Sequence, residues 1–232
     1  MENASGGIRK GRFDIFAAQG WASTAGHTEH SAAYQQSYYL NGGFWINPNW
    51  ELRLLANYVN ARSERPRSED DAPAKVLPSF KTDSFLSTFT ANNAFDKAEG
   101  YAKLYYSGTY FYWLDEHDNA PSSSPNYSQQ ALNMTGLRVK ETLRPWEGGR
   151  VIAGGDFDLT MTSNLDYNDI SPILASFPNM FLFSPYLAGS HTFNFGKWGE
   201  FYLAPQAGLR GYVHTLWADA LAPQVGLLAV RL

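Results

Sequence analysis

The sequence predicts an all-β chain: an antiparallel, up-and-down meander of about ten long strands that forms a segment of a transmembrane β-barrel. Three observations carry this reading. Stretches of 10 to 16 residues rich in Tyr, Phe, Thr, Val and Leu recur along the 232 residues, with little helical periodicity between them. Short and long connections alternate along the chain, and the tryptophans gather at the ends of the stretches rather than in their middles.

Taken in order, the strands at 12–24 and 31–46 flank segment 25–30, and the second closes at the tight turn Asn47-Pro48-Asn49. Strand 50–62 runs into a long polar segment, 63–80, with Arg65, Pro66, Arg67, Glu69, Asp70 and Asp71. Strands 81–92 and 98–113 meet at Ala94-Phe95-Asp96-Lys97, and segment 114–126 follows with Asp115, Glu116, Asp118 and a Ser/Pro run. Strand 127–144 turns at Pro145-Trp146-Glu147-Gly148-Gly149 into 150–163, after which 164–179 is long again. Strands 180–195 and 200–214 meet at Gly196-Lys197-Trp198-Gly199, and 215–219 leads into 220–231. Short turns on one side and longer loops on the other are the arrangement of an outer-membrane barrel, with the long loops outside the cell. Strands of this length exceed the roughly 5–6 residues usual in soluble sheets and suffice for the roughly 9–11 needed to cross hydrocarbon at a tilt.

Composition narrows the function classes. With 44% hydrophobic, 16% aromatic and 17% charged residues and no cysteine, the chain is neither disordered nor a disulfide scaffold. Its net charge of −4 lacks the basic footprint of a nucleic-acid binder, which excludes nucleic acid as a partner. No run approaches the roughly 18 apolar residues of a membrane helix, whereas a barrel strand alternates and so stays only weakly hydrophobic. The opening Met1-Glu2-Asn3-Ala4-Ser5-Gly6-Gly7 lacks a basic and an apolar signal region, so the chain reads as unexported or as a mature or truncated piece.

Alternation is legible within the strands. Trp50, Leu52, Leu54, Ala56 and Tyr58 oppose Glu51, Arg53, Leu55, Asn57 and Val59. Val151, Ala153, Gly155, Phe157, Leu159 and Met161 oppose Ile152, Gly154, Asp156, Asp158 and Thr160. Strand 127–144 departs from this, since Leu132 and Met134 share parity with Arg138 and Lys140, and a bulge near Gly136 would reconcile it. Trp45, Trp50, Trp146 and Trp198 lie at the short turns and Trp21, Trp113 and Trp217 near the long loops, as two interfacial girdles require. Near the end, Leu203-Ala204-Pro205-Gln206-Ala207-Gly208-Leu209 is echoed 18 residues on by Leu221-Ala222-Pro223-Gln224-Val225-Gly226-Leu227, which reads as two adjacent strands solving one pairing problem.

The hairpin Glu141 to Gly149, followed by Ala153-Gly154-Gly155-Asp156-Phe157-Asp158, resembles the barrel domain of a TonB-dependent outer-membrane receptor, as do residues 204–210 and Gly11-Arg12-Phe13-Asp14. The resemblance implies a bacterial outer-membrane location and a 22-stranded barrel preceded by a plug. It further implies uptake of a scarce solute such as a ferric siderophore or cobalamin, driven through the plug by the inner-membrane TonB complex. Partners would be outer-membrane lipid and a small-molecule metal chelate. Residues 1–232 would then be a partial barrel domain with neither plug nor signal peptide, and Ser5-Gly6-Gly7 a periplasmic turn entering its first strand.

The candidate ligand contacts sit in the outer loops. Arg62, Arg65 and Arg67 have the forked donors that grip a carboxylate-bearing chelate, against the plainer reading of a solvated loop of mixed sign. Asp115 and His117 belong to the densest group of potential ligands, but adjacent residues on one loop converge poorly, so no metal site and no cofactor is assigned. Catalytic motifs are absent, and Asp156 and Asp158 are read as lumen-facing rather than as a catalytic pair. A self-contained small barrel acting as a passive pore or adhesin and a soluble carbohydrate-binding β-protein remain the alternatives.

Overall fold

The computed structural model describes residues 1–28, 31–64, 79–114, 127–167, 173–196 and 201–231. They form one antiparallel sheet of β1 (Glu2–Lys10), β2 (Phe13–Thr24), β3 (Ala33–Asn47), β4 (Trp50–Glu64), β5 (Ser79–Phe95), β6 (Ala98–Leu114), β7 (Tyr127–Leu143), β8 (Gly149–Tyr167), β9 (Ile173–Ser176), β10 (Met180–His191), β11 (Phe193–Asn194), β12 (Phe201–His214) and β13 (Ala220–Arg231). The long strands pair in chain order, β10 following β8, while short β9 folds back on β8 and two-residue β11 extends the edge of β10 along β12. The sheet is an up-and-down meander. Among the described residues it does not close, since β1 pairs only with β2 and β13 only with β12.

Two expectations are corrected. There are eleven long strands rather than ten, because Ser5-Gly6-Gly7 is the middle of β1, opposite Ala18, Ala17 and Phe16 of β2. The turn lies later, at Gly11-Arg12, where Gly11 takes φ 59°. Backbone pairing to β2 holds this polar, glycine-bearing segment extended although its side chains carry little strand signal. Nor is there a bulge at Gly136: β7 runs in unbroken register against both β6 and β8. The ladder is interrupted instead between Trp45 and Asn47, where Ile46 is passed over. The Asn47 side chain then accepts from the Asn49 N–H at 2.9 Å, an Asx turn that reverses the chain through Pro48.

The register sets the tilt. Phe13, first in β2, lies in line across Phe44 with Leu52, two residues above the start of β4 at Trp50. Trp50 lies in line with Gly100, two above the start of β6, and Ala98 with Val151, two above the start of β8. Each of these three hairpins steps down by two residues, one per strand. About 3.4 Å of rise against about 4.8 Å of strand spacing gives a tilt of about 35°, at the lower end of the range for barrel strands.

Two adjacent rows of side chains show what the sheet separates. One cross-strand row, from β1 to β12, reads Ile8, Ile15, Gly42, Leu54, Phe89, Leu104, Leu137, Phe157, Phe183 and Val213. The next, one residue along, reads Arg9, Asp14, Gly43, Arg53, Thr90, Lys103, Arg138, Asp156 and Ser184. The first row is apolar throughout, yet its side-chain-bearing members are 36 to 65% exposed. Among the described residues Ala131 alone is a buried hydrophobic, so the sheet has no core of its own. A continuous exposed apolar row of this kind is more than a soluble monomer ordinarily leaves to water.

The C-terminal repeat has a structural cause. Its two copies pair with each other about Ala207 and Val225, so that Gln206 faces Gly226 and Gln224 faces Gly208. The Gln206 side chain lies over Gly226, where a Cβ would come within 2.4 Å of it.

The chain has no cysteine, so single-cysteine variants report cleanly. In lipid vesicles, Leu54→Cys and Leu104→Cys should react with a lipid-soluble maleimide and Arg53→Cys and Asn57→Cys should not. Leu54→Arg should destabilise the inserted sheet by about 2–4 kcal/mol, the depth-dependent cost of a midplane arginine.

Candidate functional site

The inner face carries two polar clusters built by one device: a small residue on a middle strand lets a long side chain reach a carboxylate two strands away. In the first cluster Gly43 of β3 stands between Asp14 of β2 and Arg53 of β4 in a single row. The Arg53 guanidinium passes over it to donate to both Asp14 oxygens at 3.3 and 3.1 Å. It also donates to Asn41 Oδ1 at 2.8 Å and, from two nitrogens, to Glu51 Oε1 at 3.2 and 2.6 Å. These five contacts match the five N–H bonds of arginine. Asn92 steadies the other Glu51 oxygen at 3.0 Å, and Asn41 donates to the Tyr39 hydroxyl at 3.1 Å. Trp45 completes the cluster, with Arg9 over its ring at 4.6 Å and Arg53 at 5.9 Å.

In the second cluster Gly136 of β7 stands between Tyr105 of β6 and Asp158 of β8, and the Tyr105 hydroxyl donates to the Asp158 carboxylate across it. A Cβ on Gly136 would lie 2.6 Å from the tyrosine ring and 2.4 Å from the Phe157 carbonyl oxygen. This is why a glycine occupies the strand interior there, without a bulge. Ser184 plays the same part on β10: Arg210 of β12 donates to its Oγ at 2.7 Å and reaches beyond it to Asp156 Oδ2 on β8 at 2.5 Å. Tyr186 and Tyr212 face the Arg210 guanidinium at 5.5 and 5.3 Å. Asp156 and Asp158, two residues apart on one face, are thus held by different partners.

Lys103 and Arg138 are direct cross-strand neighbours, an arrangement that like charges disfavour. Each turns onto a tyrosine instead, Lys103 onto Tyr101 at 5.5 Å and Arg138 onto Tyr105 at 5.3 Å. With Lys140 beside Tyr101, this part of the wall sets four cations against the two aspartates. Higher up, at the long-loop end of the same face, Phe80, Phe111 and Trp113 form an aromatic group with ring centroids 5.2 to 6.3 Å apart.

Of the sequence candidates, Arg65, Arg67, Asp115, His117 and Trp198 lie outside the described residues. Arg62 is on the outer face at the long-loop end of β4, directly across from Lys81 in a polar part of that face, and donates to Ser79 Oγ at 3.2 Å. The tryptophans divide. Trp21 and Trp50 are on the outer face, Trp50 packing edge-on to Phe95 at 6.1 Å. Trp146 lies in the β7–β8 turn, its Nε1 donating to His191 Nδ1 at 3.1 Å, and Trp217 in the β12–β13 connection beside His214. Trp45 and Trp113 point the other way, onto the charged face, because their parity matches Glu51 and Ser107. On the outer face an aromatic band crosses the middle of the strands, with Tyr38 stacked on Tyr58 at 6.3 Å and Phe85 beside Tyr106 at 6.2 Å; Tyr38, Phe85 and Tyr106 are the members the sequence reading missed. Period-two parity carried through those strands would have found them.

The glycine clearance is directly testable. Gly136→Ala should destabilise the membrane-inserted chain by about 1–3 kcal/mol, the usual range for overpacking a filled site. Gly42→Ala, on the outer face with its nearest neighbour 3.7 Å from the added methyl, should change the unfolding midpoint little. Equal effects of the two would remove the crossing role of Gly136.

Known proteins bear on the fold. No family model and no curated protein matches the sequence. Among solved structures the chain is similar to BauA, the ferric preacinetobactin receptor of Acinetobacter baumannii, at 10% identity with a TM-score of 0.61 over 98% of this chain and 41% of that one. It is also similar to the copper transporter OprC, at 14% identity and TM-score 0.56 over 98% and 40%, and to the siderophore receptor PiuA of Acinetobacter baumannii, at 11% and 0.55 over 98% and 43%. At these identities the likeness is one of fold, a barrel wall like that of outer-membrane receptors. The chain spans about two fifths of the length of each.

Proposed function

We propose that this chain is a wall section of a bacterial outer-membrane receptor that takes up a scarce solute, a small-molecule metal chelate, by coupling through a plug domain to the inner-membrane TonB complex. The observation that carries the reading is the pair of adjacent rows: a continuous apolar face for lipid backed by a face lined with arginine, lysine and aspartate. A wall that only enclosed a packed core would not need so many charges on its inner side. A wall facing water, a plug and a passing polar solute would. The three structural neighbours, a ferric preacinetobactin receptor, a siderophore receptor and a copper transporter, support a metal-bearing cargo.

On this reading Phe80, Phe111 and Trp113, near the mouth, meet the organic part of the chelate, and the cations of β6, β7 and β12 favour its anionic groups. The long connections, including the one carrying Arg65 and Arg67 and the one carrying Asp115 and His117, face the outside.

The test uses the complete reading frame in a host lacking its own siderophore receptors. Uptake of at least one radiolabelled ferric or copper chelate should appear and should vanish when TonB is deleted. Trp113→Ala should weaken uptake at low chelate concentration by several-fold to about tenfold, the scale of one lost aromatic contact. Uptake indifferent to TonB would overturn the coupling and favour a passive pore. Epitope tags at Asp70 and Asp118 should be reached by antibody on intact cells.

A further inference from the structure

Charge is unevenly shared along the inner face. On β1–β4 it balances among the described residues, Arg9 and Arg53 standing with Asp14 and Glu51. Further round, on β6, β7, β8 and β12, it does not. Lys103, Arg138, Lys140, Arg150, Arg210 and, next after β7, Arg144 share that face with Glu99, Asp156 and Asp158, six cations against three carboxylates. All three carboxylates are engaged: Glu99 by Arg144 at 2.5 Å, Asp156 by Arg210 at 2.5 Å and Asp158 by the Tyr105 hydroxyl. Among the described residues no carboxylate forms an ion pair with Lys103, Arg138, Lys140 or Arg150.

These four cations descend the wall. Lys103 and Arg138 are direct cross-strand neighbours in the row of Asp156, Lys140 follows about 7 Å along β7, and Arg150 lies at the short-turn end of β8, about 20 Å from Asp156. Strand pairing does not ask for this, since like charges directly opposed destabilise a sheet. Tyr101 and Tyr105 give Lys103 and Arg138 ring faces at 5.5 and 5.3 Å, which hold the two cations without neutralising them. We infer that Lys103, Arg138 and Lys140 form a station on the inner wall for a polyanionic solute, one carrying several carboxylate or phosphate groups close together, and that Arg150 continues its path toward the short-turn side. The inference deepens the receptor reading and rests on it for the direction of travel, and it narrows the cargo to an anionic one. Arg138 offers a planar fork that takes one oxyanion bidentately, and the two lysines supply point charges for its neighbours. A cleft lined by one sign of charge also concentrates solutes of the other. Above the station, Ser107, Thr109, Met134 and Thr160 separate it from the aromatic group at the mouth with no charge of either sign. The wall thus runs from an aromatic entrance to a cationic stretch below it.

The complete reading frame, purified in detergent, is titrated with tricarballylate, with pyrophosphate and with the neutral trisaccharide raffinose. At least one of the two oxyanions should bind, raffinose should not, and raising the salt from about 20 to about 200 mM should weaken binding several-fold as the charges are screened. Arg138→Gln should weaken it about tenfold, the lower end for a hydrogen bond to a charged group. Lys103→Gln and Lys140→Gln should each weaken it several-fold, and the triple variant should abolish it. Lys103→Arg and Lys140→Arg, which keep the charge, should retain it. Lys10→Gln, the same change of charge on the outer face, should leave it unchanged. The amide infrared band of each variant reports that the sheet is intact. Binding of neither oxyanion, as when a plug segment already holds these cations, would overturn the inference. So would binding that survives the triple variant, or that Lys10→Gln weakens equally. Failure of the receptor reading shows separately, as chelate uptake indifferent to TonB while oxyanion binding persists.

Discussion

A single-layer sheet has to satisfy its backbone hydrogen bonds from strand to strand, with no second layer to help. A lone sheet meets that demand only by pairing every strand on both sides, which favours long strands, short turns and an uninterrupted ladder. From β4 to β8 the strands run 15 to 19 residues, well beyond the span of the apolar rows. With the backbone so committed, side chains have one remaining freedom, which is the face they occupy. A slip of one residue in any ladder would exchange the row through Leu54 for the row through Arg53. The fold is therefore specified by parity more than by packing, which suits a sheet with almost no buried hydrophobic residue.

The same constraint shapes the polar face. Charges held on one layer have no opposing layer to pair with, so partners must be found sideways along the row. Strands lie about 4.8 Å apart, and reaching a second neighbour means crossing the strand between. Gly43, Gly136 and Ser184 open those crossings for Arg53, Tyr105 and Arg210. The result is a sheet whose polar side chains brace β2 to β4 and β6 to β12 while still presenting cations and aromatic rings on that face.

Much of the architecture was legible in the sequence. Alternation in Trp50 to Tyr58 and in Val151 to Met161 gave the faces of β4 and β8 correctly, and the tight turn Asn47-Pro48-Asn49 lies where proline and asparagine put it. β1 escaped because Ser5-Gly6-Gly7 has the composition of a turn, and only the ladder to β2 makes it a strand. Gly136 was misread for a related reason: glycine within a strand signals either a bulge or a close approach, and one sequence does not say which. Tryptophan position along a strand was readable, but for Trp45 and Trp113 parity decides whether the ring falls on the apolar or the charged face. The side-chain bridges were illegible, since each joins residues 39 to 54 positions apart through a register known only once the strands are paired.

We propose a tilted sheet that crosses a bilayer with its Leu54 face in lipid. Polarised infrared spectroscopy of the chain in oriented bilayers measures it most directly, since amide dichroism reports strand direction. Membrane-bound strands should be inclined by about 35° to the bilayer normal, as the one-residue stagger per strand requires. Strands lying in the membrane plane, or a chain that stays in the aqueous phase, would contradict it.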